Sequence, residues 1–144
     1  MNNIFTGMRI SASGLAAERL RMDIISNNIA NIETTRTENG GPYKRKIVTF
    51  KENLERQINN INGNSSAKYN GVKVDKIIED NSPFKKVYNP NHPDADSNGY
   101  VLMPNVNILD EMVDLITATR AFEANVTALN SQKQMALKAL EIGK

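Results

Sequence analysis

Apolar residues recur at alternating three- and four-residue steps at both ends of this chain and nowhere between them. Phe5, Met8, Ala12, Leu15, Met22 and Ile29 carry the rhythm near the N-terminus, broken by Arg19 and Ser26. Near the C-terminus it runs through Met112, Leu115, Phe122, Val126, Leu129, Ala136 and Leu140, broken by Thr119 and Lys133. A stripe of this period keeps one narrow face of a helix toward a partner over many turns. The pattern predicts a mainly α fold with a small β-rich middle. Long terminal helices form coiled-coil-like seams that pair with each other or with other chains. Residues 1–32 and 107–144 then make one discontinuous helical domain, and residues 33–106 a β and loop segment between its halves.

The C-terminal helix has a clear beginning. Asn107 suits the N-cap, and Asp110, Glu111 and Asp114 place negative charge in the first two turns. It is predicted over 108–142, about 50 Å at 1.5 Å per residue. The N-terminal helix, predicted over 3–32, is weaker. Gly7 and Gly14 each cost about 1 kcal/mol relative to Ala, and Ser11, Ser13, Ser26 and Asn27-Asn28 weaken it further. Alone it is marginal, so it is expected to be labile in a free monomer and ordered when packed. In the middle, Asn39-Gly40-Gly41-Pro42 signals a turn and 47–50 a short strand. Residues 51–61 read as helical or irregular, and 59–66 as an exposed Asn/Gly/Ser loop. Residues 72–78 and 84–88 read as strands, 89–98 as a loop, and 99–103 as a short extended piece closed by Pro104.

Composition adds mostly exclusions. Aromatic residues make up 6% of the chain and Trp is absent, which fits an elongated, helix-dominated body better than a large compact core. The net charge of +2 comes from 18 basic and 16 acidic side chains. The one basic run, Lys44-Arg45-Lys46, reads as a solvated strand entrance and not as a nucleic-acid stripe. With no cysteine, disulfides, thiol catalysis and cysteine-ligated zinc are excluded. The first residues lack the basic and apolar regions of a cleaved signal, and no stretch is long enough to span a bilayer. Mixed charge and small residues favour a packing seam over a lipid face.

Candidate chemistry is sparse. His92 has Asp94 and Asp96 nearby, but no nucleophile or oxyanion site converges on it. Asp94-Ala95-Asp96-Ser97-Asn98-Gly99 matches the first half of a calcium loop, yet Asn105 replaces the terminal Glu and Pro104 precedes it. An Asx-rich turn is the simpler reading. Asn64-Ser65-Ser66 and Asn125-Val126-Thr127 match the glycosylation sequon, and the second, within the C-terminal helix, reads as coincidence. No catalytic residue, metal site, cofactor or small-molecule substrate is expected.

Taken in order, the segments become specific. Ser13-Gly14-Leu15-Ala16-Ala17 is followed by Ile25-Ser26-Asn27-Asn28-Ile29-Ala30-Asn31. Then come Glu33-Thr34-Thr35-Arg36-Thr37, Gly40-Gly41-Pro42-Tyr43, Glu79-Asp80, Ser82-Pro83-Phe84 and His92-Pro93-Asp94-Ala95-Asp96. Met103-Pro104-Asn105-Val106-Asn107, Glu111-Met112-Val113-Asp114 and the block 118–126 complete the series. Nearly the whole chain resembles the bacterial flagellar rod, hook and hook-associated axial proteins, and among them the proximal-rod subunits. Phe122 stands where relatives more often have Tyr, and Asn91 where they have Gly.

That resemblance implies a structural subunit of the flagellar basal-body rod, polymerising through its terminal helices to join the motor ring to the hook. Its partners would be copies of itself, other rod proteins and the flagellar type III export apparatus, with no uptake into a membrane. It would lie outside the inner membrane, exported without signal cleavage. The family motif falls on Ser26, Asn27, Asn28, Ala30 and Asn31, where the Asn side chains either end the helix or bridge to a neighbour. The competing expectation is an intracellular coiled-coil adaptor or export chaperone that uses the same seams.

Overall fold

The computed structural model describes residues 2–38, 40–58 and 65–142. Helix α1 spans Asn2–Ala30 and helix α2 spans Ile108–Ile142. Between them lie strands β1 (Lys46–Ile58), β2 (Ser65–Glu79), β3 (Lys85–Tyr88) and β4 (Tyr100–Met103). The strands form two separate two-stranded sheets, β1 with β2 and β3 with β4. The chain divides into two compact units. One takes α1 up to Leu20, β1 from Thr49, β2 up to Lys76 and α2 from Ala118; the other takes Arg21–Val48 and Ile77–Thr117.

Both helices form where the apolar stripes predict them, and they pack against each other. At the start of α2 the Asn107 carbonyl accepts the Glu111 N–H at 3.0 Å, and its side-chain oxygen accepts the Leu109 N–H at 3.3 Å. This is the expected N-cap. Helix α1 stops two residues earlier than predicted. There the Asn27 carbonyl accepts both the Asn31 backbone N–H at 3.2 Å and its side-chain amide at 2.9 Å.

In the first unit, glycines set the helix spacing. A Cβ on Gly7 would lie 2.9 Å from Gln132 Nε2, and one on Gly14 would lie 3.1 Å from Asn125 Nδ2. These contacts step seven residues forward on α1 and seven back on α2, an antiparallel heptad register. Strand β2 approaches α1 as closely. Gly71 has φ +90, and a Cβ there would fall 2.0 Å from Ser13 Oγ. That hydroxyl accepts the Val72 N–H at 3.1 Å and donates to the Ile10 carbonyl at 2.7 Å. Helix α1 therefore finds packing neighbours within its own chain.

Strand β1 corrects the sequence reading beyond Phe50. Residues 51–58 are strand, not a helical or irregular piece, and Ser65-Ser66 belong to β2 and not to a loop. The Thr49 hydroxyl donates to the Lys76 carbonyl at 3.0 Å, and Lys51 pairs with Asp75. Cross-strand partners of this kind override weak local preference. The expected loop over 59–64 lies outside the described residues.

In the second unit Ile25, Tyr43, Val48, Val101, Pro104 and Val106 are buried. β3 and β4 run antiparallel, with Val87 opposite Val101 and Tyr88 opposite Tyr100. The Tyr88 and Tyr100 rings meet edge-to-face at 5.3 Å. In the connecting loop, Asp96 Oδ1 accepts the N–H groups of Asn98 and Tyr100, each at 2.9 Å. No non-glycine residue among those described has positive φ, so Asn91 fits its turn in ordinary L-residue geometry.

Candidate functional site

The Asn cluster resolves into one buried residue and several that shape the helix end. Asn28, in the last turn of α1, is 1% exposed. Its Oδ1 accepts the Lys46 N–H and the Tyr43 hydroxyl, each at 2.9 Å. Its Nδ2 donates to the Lys46 carbonyl at 2.9 Å and to Glu111 Oε2 at 3.0 Å. All four hydrogen-bonding positions of the amide are thus used. Asn27 is exposed; its Oδ1 lies 3.1 Å from the Tyr43 hydroxyl and 3.2 Å from Asn31 Nδ2. Ser26 and Ala30 are exposed.

Glu111, in the first turn of α2, is fully buried. Its second oxygen accepts Arg45 Nε at 2.5 Å, while Arg45 Nη2 reaches Asp114 Oδ2 at 3.4 Å. The helix N-terminus also favours a carboxylate there. The network continues through backbone. The Arg45 N–H donates to Asn105 Oδ1 at 2.8 Å, and Asn105 Nδ2 donates to the Asp80 carbonyl at 3.0 Å. The Asp80 N–H returns to the Arg45 carbonyl at 2.8 Å. A cavity of about 230 Å³ opens beside it, lined by Arg21, Ile24, Ile25, Lys46 and Asp114 among others.

Ionisation follows these contacts. Burial alone would lower the Arg45 pKa, but the hydrogen bond and charge of Glu111, with Asp114 and Asp80, hold it above the ordinary range. Burial raises the Tyr43 hydroxyl, assisted by the charges of Glu111 and Glu79. The Ser82 hydroxyl and N–H hold the Asp80 carboxyl below its usual range. Such a network holds segments together.

The stripe residues divide by exposure. Met8, Leu15, Met22 and Ile29 on α1 are half-buried, as are Leu115, Phe122, Val126, Leu129 and Ala136 on α2. Phe5, Ala12, Met112 and Leu140 are exposed. Close helix-to-helix approach includes Gly7 and Gly14 beside Gln132 and Asn125, and Asn28 beside Glu111. Beside Met112, the first turns of α2 also expose Leu109 (69%), Val113 (63%) and Ile116 (53%), an apolar strip at helical spacing.

Sequence reasoning did not single out Tyr43, Arg45, Asn105 or Glu111. Arg45 read as part of a solvated basic run and Glu111 as a helix-start charge. The available signal was position: Glu111 sits four residues before Leu115 and seven before the buried Ala118, on the inward line of α2. In the remaining loop the His92 Nδ1 accepts the Asp94 N–H at 3.1 Å, and Asp94 Oδ2 accepts the Thr35 hydroxyl at 2.8 Å. Among the described residues no cluster of metal-ligating side chains occurs, and no helix is long and apolar enough to cross a membrane.

Comparison with known proteins bears on the same regions. Residues 8–36 match the family model "Flagella basal body rod protein", and residues 97–142 match "Flagellar basal body rod FlgEFG protein C-terminal". The chain is 50% identical to the flagellar basal-body rod protein FlgC of Bacillus subtilis, covering 97% of this chain and 98% of that one. It is 44% identical to FlgC of Borreliella burgdorferi, over 96% and 97% of the two chains. Against FlgC of Salmonella typhimurium the identity is 40%, over 98% and 96%.

Proposed function

Because the chain belongs to the FlgC family of flagellar basal-body rod proteins, we propose that it works as a structural, non-catalytic subunit of the bacterial flagellar basal-body rod. The observation that carries the mechanism is the exposed strip Leu109, Met112, Val113 and Ile116 on α2. Contiguous apolar surface of this kind marks an interaction site. In the rod it is covered by neighbouring subunits through heterologous contacts, one surface meeting a different surface on the next copy. Phe5, Ala12 and Leu140, also exposed, extend the assembly seam, while the half-buried stripe residues serve the fold and the seam together. The subunit reaches the rod through the flagellar type III export apparatus without signal cleavage.

Quantitative mass spectrometry of detergent-purified basal bodies tests the proposal. The expected result is this chain in stoichiometric amount with its N-terminal residues intact. Its absence there, with a folded cytosolic pool, would establish the adaptor or export-chaperone reading instead.

A further inference from the structure

We infer that the hydrogen bond between Glu111 and Asn28 sets the axial register of α1 against α2 in the second unit, making Glu111 a positioning residue. The apolar contacts around it do not do this. The half-buried Met22, Ile29 and Leu115 are apolar side chains on a heptad repeat, and a slide of seven residues, about 10 Å, replaces one such contact with another.

Glu111 does not tolerate that slide. Its carboxylate is fully buried, and Asn28 supplies the hydrogen bond to Oε2 at 3.0 Å. Asn28 cannot follow a displaced Glu111, because the Lys46 N–H and carbonyl hold its amide from both sides at 2.9 Å. A slipped pair would leave a buried carboxylate short of a partner, which costs far more than an exchanged apolar contact. A single buried polar residue on a heptad seam fixes register in this way at some cost in stability.

The arrangement also supplies a test substitution. Glu111→Leu leaves Asn28 bonded to Lys46 and Tyr43, and leaves Arg45 beside Asp114 at 3.4 Å. The chain has no cysteine, so spin labels can be placed at Ser26→Cys and Thr117→Cys, both exposed. Pulsed electron resonance on the full-length chain then reads the distance between the helices, independently of rod assembly. The parent chain should give one distance. Glu111→Gln should give the same one, since it keeps an acceptor for Asn28 while Arg45 turns to Asp114. Glu111→Leu should add a second population, displaced by up to about 10 Å, with helicity intact and a lower thermal midpoint, because one buried Asn28 N–H loses its acceptor. A single unchanged distance in Glu111→Leu overturns the inference, as does loss of helicity there. Two populations in the parent chain would also overturn it.

Discussion

At the scale of residues, Asn28 does what no other side chain of its cluster does. Asn28→Ala would orphan the Lys46 N–H and carbonyl, the bond to Glu111 and the closer of two acceptors for Tyr43. We expect a loss of about 3 kcal/mol by urea unfolding. Ser26→Ala, two residues away on the exposed side, should change stability by less than about 0.5 kcal/mol. The pH dependence belongs to this scale as well. Asp80 has a depressed folded-state pKa, so its stabilisation is present above the unfolded value of about 4 and is lost as pH falls through the folded value. Tyr43 has a raised one, so the unfolded chain ionises first and stability declines as pH climbs past about 10. Denaturation midpoints across pH should show both limbs, with Asp80→Asn flattening the acid one and Tyr43→Phe the alkaline one.

At the scale of elements, the decisive contact is the approach of β2 to α1. Gly71→Ala would force a positive φ on an L-residue and drive its Cβ into Ser13 Oγ, which then loses the Val72 N–H. We expect a cost of about 2 kcal/mol or more and faster hydrogen exchange at the Val72 amide. Gly40→Ala shares the positive φ but meets open space, so about 1 kcal/mol should suffice there. The same contact explains where sequence reading stopped short. Lys51-Glu52-Asn53 carries no strand preference of its own, and β1 continues through it because β2 lies alongside. The helices needed no such help, because their periodicity runs for many turns.

For the whole molecule, folding and assembly should separate. Val113 and Ile116 are more than half exposed within the chain. Val113→Asp and Ile116→Asp should therefore leave the unfolding free energy within about 0.5 kcal/mol of the parent. The same substitutions should lower incorporation into basal bodies at least tenfold, a loss of about 1.4 kcal/mol or more at a contact made only in the assembly. Basal-body yield and swimming on soft agar measure this, with Asn28→Ala as the contrasting case that weakens the fold itself.

What the sequence alone determined was what repeats or punctuates locally. The heptad stripes placed both helices, Asn107 and the acids behind it placed the start of α2, and Pro104 and the glycines placed the turns. The ordered motif blocks pointed to the rod family without any coordinates. Tertiary structure decided which face of each helix turns inward. Beside the half-buried apolar stripe, Gly7 and Gly14 allow close approach to Gln132 and Asn125, and Asn28 and Glu111 make a satisfied polar pair. It also decided that a lysine-flanked arginine and a helix-start glutamate belong together. Arg45 and Glu111 are 66 residues apart in sequence, and only the fold brings them into contact.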